Sequence, residues 1–274
     1  MLDTMIIRKM PFDFPDEIDP VFIEGDPEAS FGMIAASLLL PHLEPYLIRS
    51  MRQAIPHVTD PKVLDDLKKF SAQEGQHFRM HAKWNAAIRK AGFPKLEAYE
   101  QELSDDYKRF SETKSLKFNL AYAEGFEALT MNMIRFMMEP NGFDNPESNI
   151  LQMWEWHFVE ELEHRNVTFD VYDHVFGDYF YRLIAGIYAQ IHFMSWIRKV
   201  NKYMLKVMPP PKRSREEIKE RRAKARADGL DALKRLLPAV LRTYLPTYSP
   251  HKLSVSPSMQ VLADKYSAMA THTS

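Results

Sequence analysis

Glu74-Gly75-Gln76-His77 and Glu161-Leu162-Glu163-His164 are the two stretches that decide the fold of this chain. In each, a carboxylate stands three residues before an imidazole, so on a helix both side chains project from one face. Each pair has a further glutamate upstream on a separate helical segment. Glu44 lies 30 residues before Glu74, and Glu127 lies 34 residues before Glu161. One Glu helix followed by one Glu-x-x-His helix, occurring twice, is the ligand pattern of a helical bundle that holds two metal ions between its helices. The pattern predicts an all-α fold.

Working outward, residues 1–27 are rich in Pro and Asp and are expected to form an extended N-terminal arm over the body. A helical pattern starts near Pro27 or Glu28 and runs through Phe31, Ile34 and Leu38 to Leu47, Ile48 and Met51. Pro41 and Pro45 are expected to kink or restart it, because each lacks a backbone donor and crowds the preceding turn. Asp60-Pro61 supplies an N-cap acid and a first-turn proline for the second helix, which Gly92-Phe93-Pro94 stops. Residues 95–112 carry Leu96, Tyr99, Leu103 and Tyr107 among charges and read as an exposed crossover along the bundle. That is the connection a ferritin-like four-helix bundle needs between its two hairpins.

The third core helix spans Ser115–Met138 and puts Leu120, Ala123, Glu124, Glu127, Thr130 and Met131 on one face. Asn145-Pro146 is expected to start the fourth, which runs to about Phe176 and ends at Gly177. Its inward stripe is Trp154, His157, Phe158, Glu161, His164 and Thr168. A fifth, apolar helix covers Tyr179–Met208 before Pro209-Pro210-Pro211. Lys212–Arg226 reads as a solvated linker or surface helix, 229–243 as a short last helix, and Leu245–Ser274 as a polar tail. The expected organisation is an arm (1–27), a di-metal helical domain (28–208) and a charged linker with additional C-terminal helix and tail (209–274).

Composition bounds the function. With 45% hydrophobic and 12% aromatic residues in 274, the chain can bury one sizeable core. A formal net charge of −1 gives no electrostatic case for nucleic acid or anionic membrane as a partner. The absence of cysteine excludes disulfides, thiolate ligands, iron–sulfur clusters and cysteine nucleophiles, leaving His and carboxylate as the strong metal ligands. Met1–Pro20 has no apolar core of a signal peptide. Leu183–Ile197, too short to span and followed by Arg198 and Lys199, reads as a buried helix rather than a membrane segment. A cytoplasmic location is expected.

A buried carboxylate without a partner protonates or pairs. Four glutamates converging in one helical core therefore require cations. Two divalent ions carry +4, which cancels Glu44, Glu74, Glu127 and Glu161, with His77 and His164 as neutral ligands. Carboxylate and imidazole suit iron; manganese or zinc also fit. A single Glu-x-x-His is ordinarily a solvated neighbour pair, and the duplication with two upstream glutamates is what separates this chain from that case. His157 lies on the Glu161/His164 stripe and reads equally as a further ligand or as a core histidine satisfied by a hydrogen bond. Glu124, one turn from Glu127, competes with it as the ligand of the third helix. His81 and Glu160 are expected to support the ligands rather than bind metal, whereas Glu163 points away from the stripe and is expected to be solvated. His81 and His157 are expected to meet at one end of the site, the end through which substrate would enter. The run of Met131, Met133, Met137 and Met138 is expected to pack in the core.

Over about Pro41 to Gly177 the sequence resembles the ferritin-like group of bacterial proteins called predicted metal-dependent hydrolases. The matching stretches are Leu40-Pro41-His42-Leu43-Glu44 with Ile48-Arg49-Ser50, Gln73-Glu74-Gly75-Gln76-His77 with His81, and Trp156-His157-Phe158-Val159-Glu160-Glu161-Leu162-Glu163-His164 with Phe169-Asp170-Val171-Tyr172. The resemblance favours Glu127, in Glu127-Ala128-Leu129-Thr130, over Glu124 as ligand; Ala128 stands where the family pattern has histidine. The spacing His157…Glu161…His164 is also similar to that of di-iron arylamine N-oxygenases, which implies a ligand role for His157.

Two activities follow as expectations. One is a di-iron oxygenase or oxidase acting on a small organic substrate, with O₂ and an electron donor as partners. The other is a di-metal hydrolase, as the family's name suggests. A non-catalytic iron-binding protein is a third reading, and a homodimer is compatible with all three.

Overall fold

The structure is a computed structural model that describes residues 2, 4–138, 143 and 148–270. Among the described residues the chain is all helical, with no strand. Helix α1 (Pro27–Ala54) and α2 (Pro61–Lys90) form the first hairpin, joined through a short 3₁₀ turn at Ile55–His57. Asp60 caps α2 by accepting from the Lys62 and Val63 backbone N–H groups, with Pro61 at the first helical position. Ser37 of α1 bonds to His81 and Asn85 of α2, while Glu44 meets His77. The two helices are therefore antiparallel.

Helix α1 runs unbroken through Pro41 and Pro45, so the restart expected at Pro41 does not occur. The reason is local. Pro41 cannot donate to the carbonyl of Ser37 four residues back, and Asn85 Nδ2 donates to that carbonyl instead, at 2.8 Å. A bond from the neighbouring helix thus replaces the one that proline removes.

Helix α3 (Leu96–Thr113) lies along α1 with Leu96, Leu103, Tyr107 and Phe110 buried, so the crossover is amphipathic rather than exposed. Helix α4 (Leu116–Met138) crosses α7 (Tyr179–Val207) where Gly125 meets Gly186; a Cβ on Gly125 would collide with the Gly186 backbone. Within the methionine run, Met131 and Met138 are buried, but Met137 is exposed.

The fourth predicted helix is two. Asn145 and Pro146, read as its start, lie outside the described residues; α5 spans Asn149–His164 and is capped by Ser148. Arg165 and Asn166 form a turn, and α6 (Val167–Val175) follows. The break holds because Arg165 Nη1 donates to the Leu162 carbonyl at 2.6 Å and to that of Leu2, satisfying an acceptor that a continued helix would have used. Gln73, His77 and His81 of α2 meet His164, Glu160 and His157 of α5 in that order, so α2 and α5 are antiparallel.

The C-terminal third differs most from expectation. Residues read as linker plus short helix form one helix, α8 (Arg215–Thr243), started by a capping box between Ser214 and Glu217. The segment read as a polar tail contains α9 (Pro257–Met269), which packs on α5. Helix α7 is only half buried, for Phe180, Ile184 and Ile191 are 73%, 71% and 65% exposed. The one described helical segment long and apolar enough to cross a membrane is Pro27–His57, whose most apolar window is 67% buried inside the protein.

Candidate metal centre

Helices α1, α2, α4 and α5 turn seven titratable side chains into one closed space. Their potential ligand atoms fall into two groups: Glu44, His77 and His157, and Glu74, Glu127, Glu161 and His164. These are the seven positions expected from the sequence to hold metal. None exceeds 3% exposure. His164 Nε2 lies 3.3 Å from both Glu74 Oε1 and Glu161 Oε2, and 4.0 Å from Glu127 Oε2. His157 Nε2 lies 2.8 Å from Glu161 Oε1 and 3.8 Å from Glu44 Oε1, so Glu161 stands between the groups.

The three imidazoles are held from behind. His77 Nε2 faces Glu160 Oε2 at 3.1 Å, which leaves Nδ1 toward Glu74 and Glu161. His164 Nδ1 faces Gln73 Oε1 at 3.1 Å; the other end of that amide donates to Glu163 at 2.8 Å. The third chain fixes a tautomer outright. Asn85 Nδ2 donates to the Ser37 carbonyl, so its Oδ1 accepts from the Ser37 hydroxyl at 2.8 Å. Ser37 Oγ must then accept from His81 Nδ1–H, at 2.7 Å, and His81 Nε2 accepts from His157 Nδ1–H, at 2.8 Å. In this network His157 and His164 each point an unprotonated nitrogen into the site, and His77 does so when Glu160 accepts from its Nε2.

Those nitrogens face carboxylate oxygens, and two acceptors do not attract each other. His157 Nε2 and Glu161 Oε1, 2.8 Å apart, need a proton or a cation to hold them. Both carboxylate oxygens of Glu44, Glu74 and Glu127, together with Glu161 Oε2, His77 Nδ1 and His164 Nε2, are buried without a hydrogen-bond partner. Buried polar atoms are seldom left so. A metal pair in the closed space fits this donor set, because it would use the unpartnered atoms and leave the partnered ones undisturbed.

Electrostatics agree. Burial pushes the Glu44, Glu74 and Glu127 carboxyls well above the usual range, with neighbouring carboxylates adding to it. Burial acts on Glu161 in the same direction, but positive charge placed at the His164 and His157 edge overcomes it and holds this carboxyl well below that range, so this carboxylate responds to a cation where a metal would lie. Burial likewise keeps His77 and His81 neutral by depressing their pKa values.

Of the supporting residues expected from the sequence, His81 bonds to His157 and Glu160 to His77. Glu124 is turned away, 2.8 Å from Arg182. Glu163 was expected to be solvated and is not: it is 5% exposed, paired with Arg8 at 2.6 Å and bonded to Gln73. Helix α5 is buried on all sides from Met153 to His164, so its wheel has no solvent face for Glu163 to occupy. The histidine-rich end is no open mouth either, since His81 is fully buried and Trp154 stacks on His157. Sequence reasoning missed Arg8, Ser37 and Asn85, which carry no motif spacing.

The fold and the site together define an all-helical protein with a buried carboxylate–histidine centre able to hold metal. Over residues 6–253 the chain matches the family described as "Predicted metal-dependent hydrolase", and it belongs to that family. No curated protein and no solved structure matches it.

Proposed function

We propose that the chain is an enzyme whose reaction depends on two metal ions held between α1, α2, α4 and α5. The observation that carries this reading is the set of buried ligand atoms without hydrogen-bond partners, which face one another while the remote nitrogens of His77 and His164 are held from behind. When bound, a metal pair supplies either an activated water for hydrolysis or electrons for the reduction of O₂. The family description supports hydrolysis, and in that respect the comparisons favour it over oxidation. The ligand chemistry and the depth of the centre support the second reading, an O₂-dependent oxidation of a small organic substrate with an external electron donor. Every ligand is nearly inaccessible, which suits a diatomic reactant better than a bulky ester or amide.

The chain's own residues serve either chemistry in the same way. Glu160, Gln73 and His81 hold the protons of His77, His164 and His157 on the nitrogens remote from the site. Trp156, packed on His77 at 5.0 Å, and Phe70, packed on His164 at 4.8 Å, shield those imidazoles from bulk water.

Loading the protein anaerobically with Fe(II), counting metal, and then admitting O₂ while following oxygen consumption and the optical spectrum separates the readings. Two ions per chain with oxygen consumption supports oxidation. Two ions that leave O₂ untouched, with turnover of an ester, amide or phosphoester panel by the Zn(II) or Mn(II) form, supports hydrolysis. No bound metal refutes both.

A further inference from the structure

The N-terminal arm delivers one arginine to a place that no ligand motif marks. Arg8 is 1% exposed and lies behind the metal centre, between α2, α5 and α9. Its guanidinium forks. Nη1 donates to Glu160 Oε1 at 3.2 Å, and the second oxygen of Glu160 faces His77 Nε2. Nη2 donates to Glu163 Oε1 at 2.6 Å; the second oxygen of Glu163 accepts from Gln73, whose carbonyl faces His164 Nδ1. The arm's backbone reinforces both branches, since Ile6 N–H donates to Glu163 and Arg8 N–H to Glu160.

We infer that Arg8 is a positioning residue that sets both halves of the metal centre at once, through Glu160 to His77 and through Glu163 and Gln73 to His164. The inference rests on the dinuclear reading above, because His77 and His164 belong to different ligand groups. A buried guanidinium is the one side chain that satisfies two carboxylates in a fixed planar geometry while remaining charged. The fork fixes where Glu160 Oε2 and the Gln73 amide lie, and these in turn fix the ring planes of His77 and His164 from behind. A side chain at position 8 without the fork leaves both Glu160 and Glu163 free to turn, and with them the groups that aim His77 and His164. One residue of the arm thereby couples the arm's docking to the orientation of a histidine in each group.

The test uses the full chain, Co(II) as the probe, and two readouts: affinity of each bound ion by chelator competition, and the hyperfine-shifted imidazole N–H resonances of the Co(II) form. Wild type is expected to take two ions and show slowly exchanging N–H signals from His77 and His164. Arg8→Met is expected to weaken both ions by about 10- to 100-fold, the range for loss of a group that orients ligands, with both signals lost to exchange. Arg8→Lys, which keeps the charge and loses the fork, falls between. Ser267→Ala removes the bond that Arg8 Nε makes to α9 and leaves affinity unchanged.

The branches separate the proposal from a general loss of fold. Glu163→Gln is expected to weaken the ion of the Glu74/Glu127/Glu161/His164 group and Glu160→Gln that of the Glu44/His77/His157 group. Should Arg8→Met fail to fold, these two variants and Arg8→Lys decide. Wild-type affinity in Arg8→Met with only its melting temperature lowered, or equal losses at both ions in the two branch variants, overturns the role of Arg8. A wild-type protein that binds no Co(II) overturns the dinuclear reading itself.

Discussion

Metal loading at neutral pH should expel protons from the protein, and their number follows from the site. Before metal binds, Glu44, Glu74 and Glu127 are held well above the usual carboxylate range and are protonated, while Glu161 is ionised and His77 is neutral. Four ionised carboxylates are needed to balance two divalent ions. Each pair of ions bound must therefore release about three protons, one from each of the three raised glutamates. Titration calorimetry at pH 7 in buffers of differing ionisation enthalpy reads this number as the slope of observed heat against buffer enthalpy. A slope of about three per two ions is expected. A slope near zero with two ions bound refutes the charge assignment, and saturation at one ion refutes the partition into two groups.

Other consequences are open to simpler assays. Metal-free protein should lose stability as pH rises, because carboxyls whose folded pKa is raised favour the folded state only while protonated. The loss begins above the ordinary glutamate value and runs through the values of Glu124, about 6, and Glu160, about 8; urea unfolding at pH 5, 7 and 9 should show it, and added metal should flatten the trend. Gly125→Ala should destabilise by about 2 to 3 kcal/mol, as overpacked cores do, and by more than Gly186→Ala, whose added Cβ meets only a tight contact at 3.3 Å; equal urea midpoints for the two variants would contradict the crossing geometry. Tyr266→Phe should cost about 1 to 3 kcal/mol, because Glu155 is 1% exposed and its closest partner, at 2.6 Å, is the lost hydroxyl; an unchanged unfolding midpoint would refute this.

Much of the fold was legible because its signals are local. Asp60-Pro61 starts α2 and a triple proline follows α7, as their chemistry predicts. The convergence of the candidate site's side chains was legible for a different reason: a fixed helical spacing repeated twice survives any error in the helix boundaries. What stayed hidden depends on partners distant in sequence. Helix α1 survives Pro41 through an asparagine 44 positions on, and nothing in the local sequence announces that bond. Helix α5 ends at His164 without glycine or proline, held by Arg165 reaching back to Leu162. Helix α8 is one helix rather than two because Ser214 and Glu217 cap it and Gly229 sits in its interior without breaking it.

The misreading of Glu163 and of the C-terminal tail has one source. Helix α5 carries Glu155, Glu160, Glu161 and Glu163, and all four are buried. A helical wheel assigns such residues to an inner and an outer face, and that assignment fails when both faces are covered. Each carboxylate then needs its own compensation, since burying one alone is prohibitive. Glu161 faces His157 and His164 at the metal site. Glu160 and Glu163 share Arg8 from the arm, and Glu155 is met by Tyr266 and Lys265 from α9. The two ends of the chain, which look dispensable in sequence, are what allow α5, which carries three of the candidate ligands, to be acidic and buried at once. Deleting either end should therefore disturb α5, and through α5 the metal centre, although neither end supplies a ligand. Truncation before Pro257 tests this most directly: it removes the partners of Glu155 while leaving all seven candidate ligand side chains in the chain. Reduced Co(II) affinity in a truncated protein that retains its helical content is the expected result, and unchanged affinity would show that α5 holds its position without α9.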